Sequence, residues 1–254
     1  MPRVAKPSKT AKTERQRLID QTLKKQRSAE KRRGNLIVAV AVLIAVVIIG
    51  VAAGPVVIGS FRESAYSDTP IDEIGGAASV CKEVETEEGT DVGTHVEQPQ
   101  QVVYDTAPPA FGAHWNVAGV APATFDDKYY EADDRPELEA LVHNLEHGYT
   151  ILWYDKTIAD DADKLSQVRA IAKGFDSDSD NANFRLKFIA APWLDSDENG
   201  TAFPDGQHVA FTHWSGTAEA STGVWQYCSD VSGEALQTYM DDYPYTDAPE
   251  AAAT

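Results

Sequence analysis

Leu36 to Ala53 is an unbroken run of aliphatic residues, Ala and a single Gly, eighteen positions with no polar face to turn toward water. A helix that is apolar all round has to be buried in a large core or in lipid. With Gly54 to Gly59 the run is long enough to cross roughly 30 Å of hydrocarbon, so residues 35–59 are expected to form one transmembrane helix. Residues 1–34 carry 12 Lys and Arg against three acids, and Lys31, Arg32 and Arg33 lie just ahead of the run. The positive-inside rule then makes 1–34 a basic cytoplasmic tail and everything after residue 59 extracytoplasmic, a single pass at the plasma membrane. A cleaved signal peptide is the competing reading, but its apolar region usually spans roughly 7 to 15 residues after a short basic start. The tail's charge also suits anionic lipid or nucleic acid, although a topology signal is the simpler role.

Beyond the tail the charge reverses. Of the chain's 22 basic and 40 acidic residues, 10 and 37 lie after position 34, so the exported part would repel a phosphate backbone and is not expected to bind nucleic acid. Only two cysteines occur, Cys81 and Cys228, both past the apolar run. Outside the cytosol a disulfide is their natural state, with free thiols or a thiolate ligand as the alternative. The bond would close a loop of nearly 150 residues and contribute about 5 kcal/mol in the chain-entropy picture.

Residues 60–94 are rich in Gly, Ser, Thr, Asp and Glu and read as an acidic linker tied down by Cys81. An extracytoplasmic globular domain is expected over 95–247, with 248–254 a disordered tail. Within the domain the patterns predict a short strand at 102–104, a rigid Pro108-Pro109 loop, a helix over 134–147, and a buried strand at 149–154. A second helix over 161–175, strands at 185–190, 209–214 and 224–228, and a helix over 233–243 follow. Helices interleaved with strands point to an α+β or small α/β fold, a mixed β-sheet with packed helices preceded by the membrane span.

His143-Asn-Leu-Glu146-His147-Gly148 places two imidazoles one helical turn apart with a carboxylate between them. Such i, i+4 residues are about 5 to 6 Å apart at Cβ, within reach of one cation. Asp134 and Glu137 read as a capping box, Pro136 is tolerated in the first turn, and Gly148 ends the helix. The stripe of Leu138, Leu141, Val142 and Leu145 centres nearly opposite the histidines, which should look outward or into a cleft. In Pro108-Pro109-Ala-Phe-Gly112-Ala-His114 the prolines pre-set a loop that presents His114 rigidly. His114, His143 and His147 are therefore candidate ligands for Zn²⁺ or Cu²⁺, with His95 a fourth. The alternatives are a hydrogen-bonded cluster favoured by the helix dipole and a metal-free His/Glu site. His-x-x-Glu-His also matches a zinc-peptidase pattern in which Glu146 would be the catalytic base and a residue such as Glu219 the third ligand.

Two acidic loops resemble calcium sites. Asp195, Asp197 and Asn199 alternate ahead of Gly200, but position twelve is Gly206 rather than Glu. Asp176, Asp178 and Asp180 fit worse, with Asn181 where Gly belongs. Trp115, Trp153, Trp193, Trp214 and Trp225 read as core or interface residues rather than a carbohydrate platform. No nucleophile elbow, P-loop or dinucleotide fingerprint occurs.

Tyr104-Asp-Thr-Ala-Pro108-Pro109-Ala-Phe-Gly112-Ala-His114-Trp115, then Gly119-Val120, then Val142-His143-Asn-Leu-Glu146-His147-Gly148 with an apolar strand ending in Tyr154, together resemble an uncharacterised actinobacterial membrane-anchored envelope family, domain of unknown function 3105. Its signatures run approximately PPxSGxH and HxLEHG. The likeness extends through Ala191-Pro192-Trp193, Val209 to Gly216 and Ala248-Pro249-Glu250. Phe111 stands where relatives carry Ser, and Ala118 where many carry Cys, so a thiol-dependent role is not implied for this chain. The resemblance implies the fold, the anchoring and a shared His-rich surface, but no activity. Three functions follow as expectations: a membrane-anchored protein that stores, delivers or senses a transition metal, a zinc-dependent hydrolase, or a metal-free envelope protein that binds a protein partner.

Overall fold

The computed structural model describes residues 16, 17, 19, 21, 23–27, 30–33, 36–47, 65, 66, 68–176 and 186–253, without the side chain of Glu198. The chain divides into two units, Met1–Ile58 and Gly59–Thr254. In the first, residues 36–47 are helical and their large aliphatic side chains are exposed. The remainder of the expected span, residues 35 and 48–59, lies outside the described residues, and among those described no helix is long and apolar enough to cross a membrane.

The second unit is built on a five-stranded mixed sheet. Its strands are β1 (Glu85–Glu88), β4 (Thr150–Tyr154), β5 (Phe188–Pro192), β6 (Val209–Gly216) and β7 (Ser221–Cys228), ordered β1-β7-β6-β4-β5. All neighbours are antiparallel except β4 and β5, which are parallel and so need a crossover; α2 (Lys156–Ala159) and α3 (Ala162–Gly174) supply it. Asp155 and Asp161 start these helices, each side-chain oxygen accepting from two first-turn amides. A second, two-stranded parallel sheet pairs β2 (His95–Val96) with β3 (His114–Trp115).

Strict alternation along the strands divides the core in two. Ile151, Trp153, Ala210 and Trp214 face one side, where α1 (Leu138–Glu146) docks through Leu138, Leu141, Val142 and Leu145. Leu152, Tyr154, Val209 and Phe211 face the other, against Val168 and Ile171 of α3 and Leu236 and Tyr239 of α4 (Gly233–Asp242). The mixed sheet with packed helices is as the patterns predict, and all five tryptophans are buried.

Several expectations change. Residues 60–94 are more than a linker, because β1 extends the sheet and Ile74 is buried against α4, where Gly233 N donates to Ile74 O at 2.8 Å. Residues 102–104 form no strand; the Val102 amide is taken by Glu139 Oε1 at 2.7 Å. The segment 248–253 is docked rather than disordered: Glu250 N donates to Glu146 O at 2.9 Å, and Lys187 Nζ donates to Ala251 O and Ala253 O at 3.0 and 2.7 Å. Cys81 and Cys228 form the expected disulfide, 147 residues apart in sequence.

Candidate metal centre

Helix α1 starts later than its sequence suggests. Glu137 is its N-cap without a side-chain bond, and Asp134, expected to close a capping box, instead accepts from Glu131 N at 2.6 Å. Pro136 explains the shift: it disfavours helical geometry at the preceding residue, so the regular turn begins beyond it. The helix ends as expected, with Gly148 at φ +90° and its amide donating to Leu145 O at 2.9 Å.

All nine residues of α1 are buried. The leucine face meets the main sheet, and the opposite face is roofed by β2, β3 and the loop that follows. Asn144 fastens that roof, its Oδ1 accepting from Ala123 N at 2.8 Å and its Nδ2 donating to Ala123 O at 3.0 Å. His143 and His147 therefore look into a covered cleft, with 2% and 6% of their surface exposed.

Into that cleft β3 delivers His114. Gly112, at φ +136° and against the Tyr104 ring, makes the approach possible, since a Cβ there would crowd Tyr104 Cε1 at 2.9 Å. The Gly112 carbonyl lies 2.8 Å from His114 Nδ1, and the Trp115 carbonyl lies 2.6 Å from His143 Nδ1. A carbonyl can only accept, so both rings carry a proton on Nδ1, which leaves Nε2 as the nitrogen open to a ligand. Parallel pairing sets His95 directly beside His114, with ring centroids 5.0 Å apart. His114 and His143 centroids are 4.7 Å apart.

Glu146 completes the cluster. One carboxylate oxygen accepts from Gly93 N at 2.5 Å, and the other approaches His114 Nε2 to 3.0 Å. That approach lacks hydrogen-bond alignment: both His114 Nε2 and Glu146 Oε2 are buried without a hydrogen-bond partner among the described residues. Ligand atoms of His95, His114, His143 and Glu146 all lie within 4.8 Å of one another. Desolvation would raise the Glu146 carboxyl, but the His114 ring and the Gly93 amide hold it below the usual carboxylate range. Burial lowers His143 to about 4, helped by the neighbouring imidazoles of His114 and His147, so at neutral pH its ring is uncharged. Three imidazoles around a carboxylate, two of them oriented by backbone carbonyls, are the donor set and the supporting shell that a borderline transition metal takes.

Of the histidines marked by sequence, His114 and His143 come together as expected, while His95 rather than His147 is the third imidazole. His147 belongs to a neighbouring group with Glu146 and Glu250. Glu146 is fully buried with one oxygen taken by the Gly93 amide, whereas a hydrolase would need it as an accessible base. Glu219 belongs to neither candidate cluster among the described residues. In the first acidic loop Asp197 spends both oxygens on Arg135, at 2.6 and 2.9 Å, and also accepts from Leu194 N, so it is not available to join Asp195 and Asn199 around calcium. The second acidic loop has only Asp176 among the described residues. Sequence reasoning missed Gly93, whose amide orients Glu146, and Lys187, which pins the C-terminal segment; neither carries a local pattern.

Residues 95–254 match a family model described as a protein of unknown function, DUF3105. No curated protein and no solved structure matches the chain.

Proposed function

The chain belongs to the DUF3105 family, whose description carries no activity, and we propose from the site itself that this is a membrane-anchored extracytoplasmic protein that holds a Zn²⁺ or Cu²⁺ ion for storage or delivery. The ion's ligands are His95, His114, His143 and Glu146. One observation carries the reading: His114 and His143, each with its Nδ1 proton fixed on a backbone carbonyl, gather with His95 and the buried Glu146 carboxylate so that ligand atoms of all four lie within 4.8 Å of one another, while His114 Nε2 and Glu146 Oε2 are left without a hydrogen bond. Buried polar atoms are ordinarily satisfied, and a cation between them would satisfy His114 Nε2 and Glu146 Oε2 at once. The basic tail and the apolar run support anchoring, with the domain outside.

Three imidazoles and one carboxylate already supply four donors, which favours holding an ion over activating water at an open position. The test is calorimetric titration of Zn²⁺ into metal-stripped full-length protein in detergent. Wild type is expected to bind tightly, and His143→Ala to lose at least tenfold in affinity while keeping its helical signal. Wild-type protein that binds neither Zn²⁺ nor Cu²⁺ would sink the reading and leave a structural His/Glu cluster serving a protein partner.

A further inference from the structure

Resting on the metal reading above, we infer that Glu146 is shared with a second, outer cation position whose other ligands are His147 and Glu250. Ligand atoms of these three residues lie within 4.8 Å of one another, as those of the inner four do. His147 is the independent sign of a ligand. Its ring is 6% exposed, its Nδ1 is buried without a hydrogen-bond partner among the described residues, and its Nε2 stands 3.6 Å from Glu250 Oε2, beyond hydrogen-bond reach. A buried imidazole nitrogen without a partner is costly unless something else binds it.

The position is built rather than accidental. Glu250 arrives on the C-terminal segment, whose backbone is tied to Glu146 O and, through Lys187 Nζ, to the carbonyls of His147, Ala251 and Ala253. Two carboxylates and an imidazole form a harder donor set than the inner one, suited to a divalent ion such as Zn²⁺. Its affinity is lower for two reasons. Glu250 is 47% exposed, so water competes for the site, and the Lys187 ammonium beside His147 opposes a second positive charge. With the Glu146 carboxylate common to both, two ions sit side by side, as in carboxylate-bridged metal pairs.

Titration of metal-stripped full-length protein in detergent with Zn²⁺, read by calorimetry and repeated with Co²⁺ read by visible absorption, tests the second position. Wild type should take up two equivalents of unequal affinity. Glu250→Gln, a conservative change at a half-exposed side chain, should keep only the tight one. His143→Ala should keep only the weak one, and the double variant neither. A wild type that binds one equivalent, unchanged by Glu250→Gln and lost in His143→Ala, overturns the outer position and leaves the inner site standing. One equivalent lost in Glu250→Gln but kept in His143→Ala would instead overturn the inner site. Thermal melts of each variant identify any that loses metal by unfolding.

Discussion

His143 and His147 are forced to be neutral in the folded protein, and that has a measurable cost. Burial is the main cause for both, followed by nearby imidazoles for His143 and by Lys187 for His147; each is lowered to about 4 from an ordinary 6.5. Above pH 6.5 neither the folded nor the unfolded chain binds these protons, and stability is at its full value. As pH falls from 6.5 toward 4 the unfolded chain takes up protons that the folded one refuses, so stability declines, by about 3 kcal/mol per histidine at the lower limit. The metal-free protein should therefore show a denaturant midpoint that drops steadily between pH 6.5 and 4, and Zn²⁺ should blunt the drop by binding the deprotonated rings. A midpoint flat across that window would contradict the burial of these rings. At this scale the site was half legible. The His-x-x-Glu-His spacing and the Pro-Pro loop pointed to His114, His143 and His147 as ligands, with His95 a fourth and Glu146 only as a hydrolase's base, because rigid local geometry decides where those side chains go. That His95 replaces His147 was not legible, since it depends on β2 pairing with β3 from nineteen residues away, a contact no local pattern encodes.

Helix α1 and the strand after it are joined at Gly148, and the joint is where the site meets the C-terminal segment. Gly148 has φ +90°, and a Cβ there would collide with the Tyr245 carbonyl and lie 3.3 Å from Ala248 Cβ. Gly148→Ala should consequently destabilise the domain by about 1–3 kcal/mol, through left-handed backbone strain and displacement of residues 245–250. Chemical denaturation measures the loss, and a parallel fall in Zn²⁺ uptake at the outer position is expected because Glu250 rides on that segment. Unchanged stability would mean that the segment is not held against Gly148. Among the elements, those with a clear apolar period were readable: α3 and α4, β6 and the buried β4 fall within a few residues of their predicted bounds. Strand β1, Glu-Thr-Glu-Glu, is exposed along its whole length and carries no alternation, so only its pairing with β7 makes it a strand. Conversely, 102–104 looks like a strand, but its first amide is spent on the Glu139 side chain.

On the scale of the whole domain the acidic segment before residue 95 is part of the fold, and the disulfide fastens it there. Cys81 N donates within its own turn, Lys82 N donates to Tyr227 O at 2.8 Å, and β1 then pairs with β7 from Glu85 to Glu88. These contacts run along a solvent-exposed edge whose side chains bury little apolar surface. The bond to Cys228, which sits fully buried beside Val231 and Leu236, anchors the edge covalently to the core. Because 147 residues separate the two cysteines, opening the bond returns a large loop entropy to the unfolded chain, about 5 kcal/mol in the chain-entropy model. That is a large share of the roughly 5 to 15 kcal/mol that stabilises a typical domain. Replacing both cysteines by Ser should accordingly lower the melting temperature markedly and free β1 first, seen as faster amide exchange at residues 82–88 than in the rest of the sheet. The proposed metal centre is carried by α1, β2 and β3, so Zn²⁺ should still bind the fraction that remains folded. Loss of β1 protection together with unchanged metal affinity is the expected pair of results; uniform loss of protection across all five strands would show instead that this edge is no less stable than the core it covers.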